Sequence, residues 1–464
     1  MNDSQGSRSQ QVVRRIGFVS PFAWIIVLGS LSSLSTECDA RPPNFVLILA
    51  DDLGYGDLGC YGNPVRTPQL DRLAQQGIRF TDFHSNGTMC TPTRAALLTG
   101  RYQQRFGNEF EGPLSGATQR SLGLPLRAVT IAEALKPLGY ATAMYGKWHL
   151  GYQAPFLPTR QGFDHFVGLT AGDGDHHTHI DRWGHEDWWQ NEQLQAESGY
   201  TAELITKHSC TFIEQHRERP FLLYVAHLGI HFPWQGPKDP PHRVKGVNYA
   251  NDKWGRLKDN SNVRPHVQSM IQSLDQSVGT IIEKLRALEL HENTLVLFLS
   301  DNGGYLSYGK THNNISSNGK LRGQKGQLYE GGHRVPAIAY WPGRIQPAVR
   351  DDTLITCDIL PTFIDLATEQ PGAPFESDGI SFAPVLQGAK IQLDRNLFWR
   401  DNGSYAVRRR EWKLVTYQGQ PPQLFNLLQN PNERFNLSKQ HPQQVRELTD
   451  AYLIWTATVT SERQ

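Results

Sequence analysis

The sequence predicts an α/β fold, in which a large mixed β-sheet is flanked by helices and is followed by a smaller C-terminal α+β domain of short antiparallel strands and one helix. Apolar runs of strand length alternate with amphipathic helical stretches over most of the chain, which is typical of a sheet covered by helices. Near residue 394 this pattern changes to short strand candidates separated by turns. The 464 residues are enough for both parts.

The elements of the large part follow from periodicity and turn residues. Pro42-Pro43 opens the first apolar run, whose lack of polar residues is typical of a strand buried on both faces. The runs that we predict as strands are 44–50, 141–145, 221–226 and 294–299. The stretches that we predict as helices, or as the start of one, are 68–77, 94–98, 130–138 and 267–288.

The C-terminal part has its own pattern. The strands that we predict there are 397–399, 405–407, 412–415 and 423–425, and a helix follows over 443–456. We therefore divide the chain into an N-terminal segment, 1–40, a large domain, 41–393, and a C-terminal subdomain, 394–464.

Residues 1–40 have the order of a signal peptide. Arg14 and Arg15 precede an apolar stretch over 16–31, and small residues lead to Ala40. The apolar core is short for a membrane span, so we predict cleavage near Ala40 and no stable membrane insertion afterwards. The protein is then exported, to the periplasm or out of the cell. The alternative is an anchor that is never cleaved.

Composition and charge exclude several classes of function. The net charge is +1, so no field of one sign favours nucleic acid or anionic lipid as the main partner. The five cysteines are too few for a disulfide scaffold at this length. A substrate anion must therefore be held by a local cluster of cations.

Two of the predicted strands end in residues that commonly bind metal ions. Asp51-Asp52 follows the strand at 44–50, and Asp301-Asn302 follows the strand at 294–299. In open α/β sheets, ligands bind at the carboxyl ends of strands. If these strands are neighbours, three carboxylates and an amide meet, and calcium or magnesium would remove their repulsion. Either pair alone is more often an ordinary turn, whereas both together favour a metal site.

The segment from Cys90 to Arg101 carries the most specific pattern in the chain. It reads Cys-Thr-Pro-Thr-Arg, then a helical Ala/Leu stretch, then Thr-Gly-Arg. Pro92 suits the first turn of a helix, which puts Cys90 at the N-terminus, where free N–H groups favour an anion. Arg94 lies one turn further along the same face. This segment resembles the signature of the formylglycine-dependent sulfatases, a family in the alkaline-phosphatase-like superfamily.

The resemblance extends over nearly the whole chain, and its elements occur in family order. The matching segments are 43–56, 146–151, 230–233, 300–303, 321–332, 412–414 and 431–433. Within the family, the pattern is similar to that of arylsulfatase A and N-acetylgalactosamine-6-sulfatase.

The resemblance implies a reaction and the residues that perform it. A separate maturating enzyme would oxidise Cys90 to formylglycine, whose hydrate would attack sulfur and give a sulfated enzyme that later expels sulfate. The implied ligands of one Ca²⁺ ion are Asp51, Asp52, the modified Cys90, Asp301 and Asn302. The implied contacts to the sulfate group are Arg94, Lys147, His231 and Lys325.

The proton transfers are assigned by the resemblance together with charge. Asp301 is the expected base for the attacking hydroxyl. His231, together with Lys325, is expected to protonate the leaving oxygen. His149 is expected to take the proton that triggers sulfate expulsion, since a histidine pKa lies near neutrality.

Two of these assignments have rivals in the sequence. His227 lies on the same loop as His231, and the His-x-Pro pattern of the family favours His231. Lys310 and Lys320 compete with Lys325, and the Tyr-Glu-Gly-Gly that follows favours Lys325.

The segment 172–189 is rich in histidine, aspartate and tryptophan. Carboxylates and aromatic rings at a pocket rim suit a sugar, and we predict Asp175 as a substrate contact. His176, His177 and His179 also suggest a transition-metal site. An exposed insertion loop explains the segment as well as a substrate role does.

The leading prediction is therefore hydrolysis of sulfate esters, on a sulfated carbohydrate in preference to a simple aryl sulfate. One alternative is a phosphate or phosphonate ester hydrolase of the same superfamily. The other is a sulfoglycan-binding protein without catalysis, in which Cys90 is not converted.

Overall fold

The structure is a computed structural model that describes residues 41–254, 262–370, 376–391 and 393–461. The predicted signal peptide, 1–40, lies outside these residues. None of the described helices is long and apolar enough to cross a membrane. The cysteines described, Cys60, Cys90, Cys210 and Cys357, are free thiols.

Strands occur along the whole described chain. They are β1 (Asn44–Ala50), β2 (Ile78–His84), β3 (Ala141–Lys147), β4 (His165–Leu169), β5 (Trp189–Gln190), β6 (Gln193–Leu194), β7 (Phe221–Ala226), β8 (Thr294–Ser300), β9 (Ser307–Tyr308), β10 (His312–Asn313), β11 (Arg334–Tyr340), β12 (Ala348–Arg350), β13 (Leu354–Ile355), β14 (Asn396–Asp401), β15 (Ser404–Arg409), β16 (Trp412–Thr416) and β17 (Gln423–Asn426).

Helices separate many of these strands. They are α1 (Pro68–Gln76), α2 (Cys90–Thr99), α3 (Ile131–Leu135), α4 (Thr201–Gln215), α5 (Arg264–Ala287), α6 (Glu330–His333), α7 (Ile359–Thr368), α8 (Ala383–Leu386) and α9 (Pro442–Ser461).

The large sheet is mixed, as predicted. Its strand order is β12-β2-β11-β8-β1-β7-β3-β4-β5-β6, with β13 also paired to β2. The run from β8 to β4 is parallel, and β11 is antiparallel to both β8 and β2. Strands β1 and β8 are direct neighbours, with Ala50 opposite Ser300. The residues that follow these two strands therefore emerge side by side.

The centre of the sheet is covered on both faces, which explains the continuous apolar runs. Every residue of β1, β7 and β8 is buried. Phe45, Leu47 and Leu49 belong to the core on one face, which α2, α3 and α7 cover. Their neighbours in β1 pack on the other face, under α4 and α5. The predicted α/β architecture is confirmed.

Strands β14 to β17 form a separate antiparallel sheet in chain order, as predicted. Helix α9 packs on it through Leu448 and Trp455. Lys413 of β16 is fully buried and lies 2.9 Å from one carboxylate oxygen each of Glu330 and Glu433. This ion cluster joins the small sheet to α6, which directly follows the loop that carries Lys325. The domain boundary at 394 stays a prediction.

Candidate active site

The two predicted metal-type pairs meet at the carboxyl ends of β1 and β8. The backbone N–H of Asp52 donates to Oδ1 of Asp301 at 3.2 Å. The Nδ2 of Asn302 donates to Oδ1 of Asp52 at 2.9 Å. Asp51, Asp52, Asp301 and Asn302 are all buried. The expected convergence of three carboxylates and one amide is thus what the parallel pairing of β1 with β8 produces.

Each of these carboxylates has a cation as its partner. The pairs are Arg94 Nη2 with Asp301 Oδ2 at 2.9 Å, Lys147 Nζ with Asp51 Oδ2 at 2.5 Å, and Lys325 Nζ with Asp52 Oδ1 at 2.5 Å. Burial raises the pKa of Asp51 against the opposing effect of Lys147. Burial also acts to raise the pKa of Asp301, but Arg94 and the two lysines hold that pKa below its usual value. Three acids and three bases balance in charge, so an added divalent cation would make this cluster positive.

Three buried oxygens of the cluster have no hydrogen-bond partner in the described chain. They are Oδ1 of Asp51, Oδ2 of Asp52 and Oδ1 of Asn302. Leaving a buried acceptor unsatisfied costs about 1–3 kcal/mol, so a group that binds all three would be stabilising. Oxygen donors of this kind suit a hard divalent cation. The residues therefore fit the predicted metal. In addition, a ring nitrogen of His231 lies within 4.8 Å of carboxylate oxygens of Asp51 and Asp52.

Cys90 is the first residue of α2, as predicted. No side chain caps this helix end, and Pro92 occupies the first turn. The Sγ atom lies 3.2 Å from Nδ1 of His149. Arg94, one turn further on, donates from Nη1 to the Lys147 carbonyl at 2.7 Å. Residue 90 is therefore at a helix N-terminus, where backbone N–H groups favour an anion.

The geometry of His149 fixes its tautomer. Its Nε2 lies 3.0 Å from the carbonyl oxygen of Leu114, which only accepts hydrogen bonds. Nε2 must therefore donate, and in the neutral ring Nδ1 carries a lone pair that faces Cys90. Burial, with the charge of Lys147, lowers the pKa of His149 and keeps the ring neutral. His149 also has a left-handed backbone with φ of 55°, a strain often found at functional sites.

The imidazole of His149 packs directly on the backbone of Gly172. A Cβ atom at residue 172 would lie 2.5 Å from both Cε1 and Nε2 of the ring. Any larger residue must therefore push the ring away from its hydrogen bond to Leu114 and from residue 90.

We expect Gly172→Ala to lower kcat about 10- to 100-fold, because small misplacements of a reacting group have effects of that size. Steady-state rates and thermal unfolding of the purified variant check this. Gly112→Ala is the matched control, since a Cβ there meets nothing within 4 Å. A drop in melting temperature large enough to explain the lost rate would point to misfolding instead.

The structure separates His231 and Lys325 from their rivals. His231 donates from Nδ1 to the Phe232 carbonyl at 2.7 Å, so Nε2 is the nitrogen left to face the site, 3.8 Å from Asp52 Oδ2. His227 instead lies inside the fold, 3.1 Å from Ser277 Oγ. Lys325 lines the cleft, whereas Lys310 and Lys320 are exposed elsewhere.

A cleft of about 230 Å³ opens above this cluster. Its floor includes Cys90, His149, His231 and Lys325, and its walls include five aromatic side chains. The wall residues that matter below are Tyr152, Asp173, Asp181, Arg182, Trp183, Phe232, Tyr305 and Tyr308. The segment 172–189 therefore supplies one wall of the cleft.

Asp175 does not line the cleft, unlike the substrate contact that we predicted. Its carboxylate is buried and accepts hydrogen bonds from the backbone N–H groups of His177, Thr178, His242 and Arg243. These contacts join the segment at 175–178 to the segment at 242–243. A carboxylate with several N–H partners has its hydrogen-bonding capacity satisfied within the chain. Its neighbour Asp173 is the carboxylate that reaches the cleft.

The histidines of this segment do not converge on one point in the described chain. The ring of His176 stacks on Tyr200, and the ring of His179 stacks on Trp188. The predicted alternative of a transition-metal site therefore finds no support in this geometry.

Thr91 is a site residue that the sequence did not reveal. Its Oγ1 donates to the carbonyl of His149 at 3.1 Å and accepts from the N–H of Leu114 at 3.1 Å. Tyr305 and Tyr308 were also missed. The sequence feature that could have indicated these tyrosines is their position a few residues after Asp301-Asn302.

Comparison with known proteins identifies the family of this fold and site. A family model described as Sulfatase matches residues 43–369, and one described as N-sulphoglucosamine sulphohydrolase, C-terminal, matches residues 323–453. Arylsulfatase A of Homo sapiens is 36% identical over 464 residues, which cover 86% of this chain and 84% of that protein. N-acetylgalactosamine-6-sulfatase of Canis lupus familiaris is 33% identical over 410 residues, covering 84% and 74%.

A solved structure is similar over nearly the whole chain. The structure of Ps i-CgsB in complex with k-i-k-neocarrahexaose has a TM-score of 0.77 and 28% identity, and covers 90% of this chain and 93% of that one. The structure of the phosphonate monoester hydrolase of Agrobacterium radiobacter, at 19% identity and a TM-score of 0.61, shows the shared fold alone. Together with the family model over residues 43–369, these similarities show that the chain belongs to the sulfatase family, whose members are sulfuric ester hydrolases.

Proposed function

We propose that this sulfatase removes sulfate from sulfated carbohydrates and that residue 90, oxidised from cysteine to formylglycine, is its nucleophile. The observation that carries the proposal is the position of Cys90 at the start of α2. Its Sγ lies 3.2 Å from Nδ1 of His149, the nitrogen that carries the lone pair. The names of the relatives, among them N-acetylgalactosamine-6-sulfatase, support a carbohydrate as substrate. The aromatic walls of the cleft support it as well, since sugar rings stack on aromatic side chains.

We assign one Ca²⁺ ion to the unsatisfied oxygens of Asp51, Asp52 and Asn302, together with Asp301 and the modified residue 90. When bound, calcium supplies positive charge toward the sulfate oxygens. Lys325 lines the cleft, so its charge faces an anion bound there. Lys147 is fully buried, 2.5 Å from Asp51, and does not line the cleft, so it acts on such an anion through the charge of the cluster. Fixed cations in a buried site stabilise charge that develops in the transition state.

The chain's own residues divide the proton transfers between two sides of the site. Asp301 is ionised, and we assign it the proton of the attacking hydroxyl at residue 90. Arg94 donates to the Asp301 carboxylate from Nε and Nη2, at 3.2 and 2.9 Å, and these two bonds fix the orientation of the guanidinium and of the carboxylate. His149 takes the second proton through Nδ1, because its Nε2–H is committed to Leu114.

The leaving oxygen receives its proton from the other side of the cleft. The Nε2 atom of His231 faces the site, because Nδ1 is bonded to the Phe232 carbonyl. The Nζ atom of Lys325 donates a hydrogen bond to Asp52. Both residues line the cleft, so both are able to reach an oxygen on the far side of the sulfur from residue 90. We assign the proton to His231, with Lys325 as its partner.

Export and maturation belong to the same proposal. The signal-peptide order of residues 1–40 supports delivery to the periplasm or to the outside of the cell. A maturating enzyme in the same host must convert Cys90 before the chain folds around it, because Cys90 is 2% exposed in the folded structure.

The proposal is tested with matched 4-nitrophenyl sulfate and 4-nitrophenyl phosphate, and with sugar 6-sulfates and 6-phosphates. We expect kcat/KM for each sulfate to exceed that for its phosphate by at least about tenfold, a difference of about 1.4 kcal/mol in transition-state binding. Preference for the phosphates would favour the phosphate ester hydrolase instead. Tight binding of sugar sulfates without turnover, by natively produced protein that retains the thiol at residue 90, would favour a binding protein.

A further inference from the structure

Arg182 is a cation on the cleft wall that none of the roles above uses. Its Nε donates to Oδ1 of Asp173 at 3.0 Å, and its guanidinium carbon lies 5.1 Å from the centroid of the Phe232 ring. The side chain is 25% exposed and lines the cleft. It is thus held in place by its own loop and by a neighbouring ring, with a face turned to the substrate space.

Asp173 does not need Arg182 to balance its charge. Arg243 is fully buried, and its Nη2 donates to Oδ2 of the same carboxylate at 2.7 Å. In the described chain, neither Arg182 nor Arg243 forms an ion pair with any other carboxylate. Two guanidinium groups therefore share one carboxylate, which leaves one positive charge in excess, and Arg182 is the member of the pair that faces the cleft.

The other charges along the wall do not cancel this excess. Asp181 also lines the cleft, but it accepts from the backbone N–H of His185 at 2.8 Å and lies 3.4 Å from Arg120. Lys253 adds a further cation, with Nζ 4.8 Å from the centroid of the Tyr308 ring. Asp173 and Asp181 are the carboxylates among the described residues that line the cleft.

We propose that Arg182 binds a second anionic group of the substrate, a carboxylate or a second sulfate, while the ester to be cleaved lies over residue 90. This inference rests on the proposed function and names its substrate class: glycans with a second negative group on the same or the adjoining sugar. The hydroxyl groups of a neutral sugar accept hydrogen bonds from a guanidinium, but they bring no negative charge to offset the cost of removing that cation from water. A carboxylate or sulfate instead accepts two parallel N–H bonds from the guanidinium.

The test is calorimetric binding to the full chain with Cys90→Ala, which should bind the probes without hydrolysing them. One pair of probes is N-acetyl-D-glucosamine 6-sulfate and D-glucosamine 2-N,6-O-disulfate, in which a second sulfate replaces a neutral acetyl group on the nitrogen. The other pair is N-acetylgalactosamine 6-sulfate linked either to glucose or to glucuronic acid, which differ in a carboxylate. The variants are Arg182→Gln, Arg182→Lys and, as a control, Arg127→Gln, which changes an exposed arginine that does not line the cleft.

We expect the protein with Arg182 intact to bind the doubly anionic member of at least one pair about tenfold or more tightly, because its second anion forms charge-assisted hydrogen bonds with Arg182 that the singly anionic member lacks. Arg182→Gln should reduce this ratio to below twofold, Arg182→Lys should retain part of it, and Arg127→Gln should leave it intact. Which pair shows the ratio distinguishes a carboxylate from a second sulfate.

Equal affinities within both pairs, or a ratio that survives Arg182→Gln, would overturn the proposal. So would an equal loss of affinity for all four probes in Arg182→Gln with a lowered melting temperature, because Arg182 would then be structural only. A binding ratio that behaves as expected, together with a parent protein that has a converted residue 90 and hydrolyses no sulfate ester, would count against the proposed function and not against this inference.

Discussion

Cys90→Ala is expected to lower kcat for sulfate-ester hydrolysis by about four orders of magnitude or more, because it removes the nucleophile from an otherwise intact site. The fold should tolerate the change. Ala fits the first turn of α2, and the thiol has no hydrogen-bond partner described other than His149. Initial rates with a sugar sulfate and with 4-nitrophenyl sulfate measure the effect.

The variant Cys90→Ser distinguishes the attack on sulfur from the later release of sulfate. The serine hydroxyl is still able to attack sulfur, but it lacks the second oxygen through which sulfate is expelled. We expect the variant to acquire one covalently bound sulfuryl group per chain and to stop there, as intact-protein mass analysis would show. Cys210→Ser, which changes a half-buried cysteine of α4, is the control and should retain full turnover. Multiple turnovers by Cys90→Ser would contradict the assigned chemistry.

Removal of the divalent cation is expected to have the second largest effect. Dialysis against a calcium chelator should lower kcat/KM at least about 100-fold, since a bound metal contributes several kcal/mol of charge stabilisation. It should also lower the melting temperature, because an ion held at 100 times its Kd stabilises the fold by about 2.7 kcal/mol. Added Ca²⁺ should restore both quantities.

A variant in the ligand set shows whether the loss arises at this site. Asp52→Asn keeps the shape of the side chain but removes the negative charge from one of the three residues that have an unsatisfied oxygen. It should lose most of its activity, and added Ca²⁺ should not restore it to the parent level. Asp351→Asn, at an exposed position, is the control. Full activity in chelator, with no metal retained in the protein, would contradict the metal site.

Strands buried on both faces were the easiest part of the fold to predict. Strands β1 and β7 match the predicted bounds, and β3 and β8 run slightly further, because their apolar runs have no polar interruption. Strands β2 and β11 were missed. Strand β2 carries Arg79, Thr81, Asp82 and His84, and β11 contains Pro336, so neither has a continuous or alternating apolar pattern.

Two residues of the floor were predictable from local structure, because Cys90 opens α2 and His149 follows β3. Such positions can be inferred from one stretch of sequence, as for Cys90 and Pro92. His231 and Lys325 lie in loops and were predicted from the resemblance to the family. The left-handed backbone of Asp52 and of His149 had no local signal, because neither residue is a glycine.

The walls of the cleft were not predictable in the same way. They come from separate loops, around residues 113–116, 171–183, 232 and 305–308, that meet only in the folded chain. Within the histidine-rich segment, sequence alone could not distinguish Asp173, which reaches the cleft beside Arg182, from Asp175, which binds backbone N–H groups. Asp173 and Asp175 are only two residues apart, but the first lines the cleft and the second holds two segments of the chain together.

The central claim is that an oxidised residue 90 performs the reaction, and one experiment addresses it directly. Peptide mass analysis of several natively produced preparations gives the fraction of chains with an aldehyde at residue 90, and the same preparations give kcat per chain. We predict that kcat rises in proportion to that fraction and extrapolates to zero for chains that retain the thiol. A preparation that turns over sulfate esters with residue 90 entirely as cysteine would contradict the account.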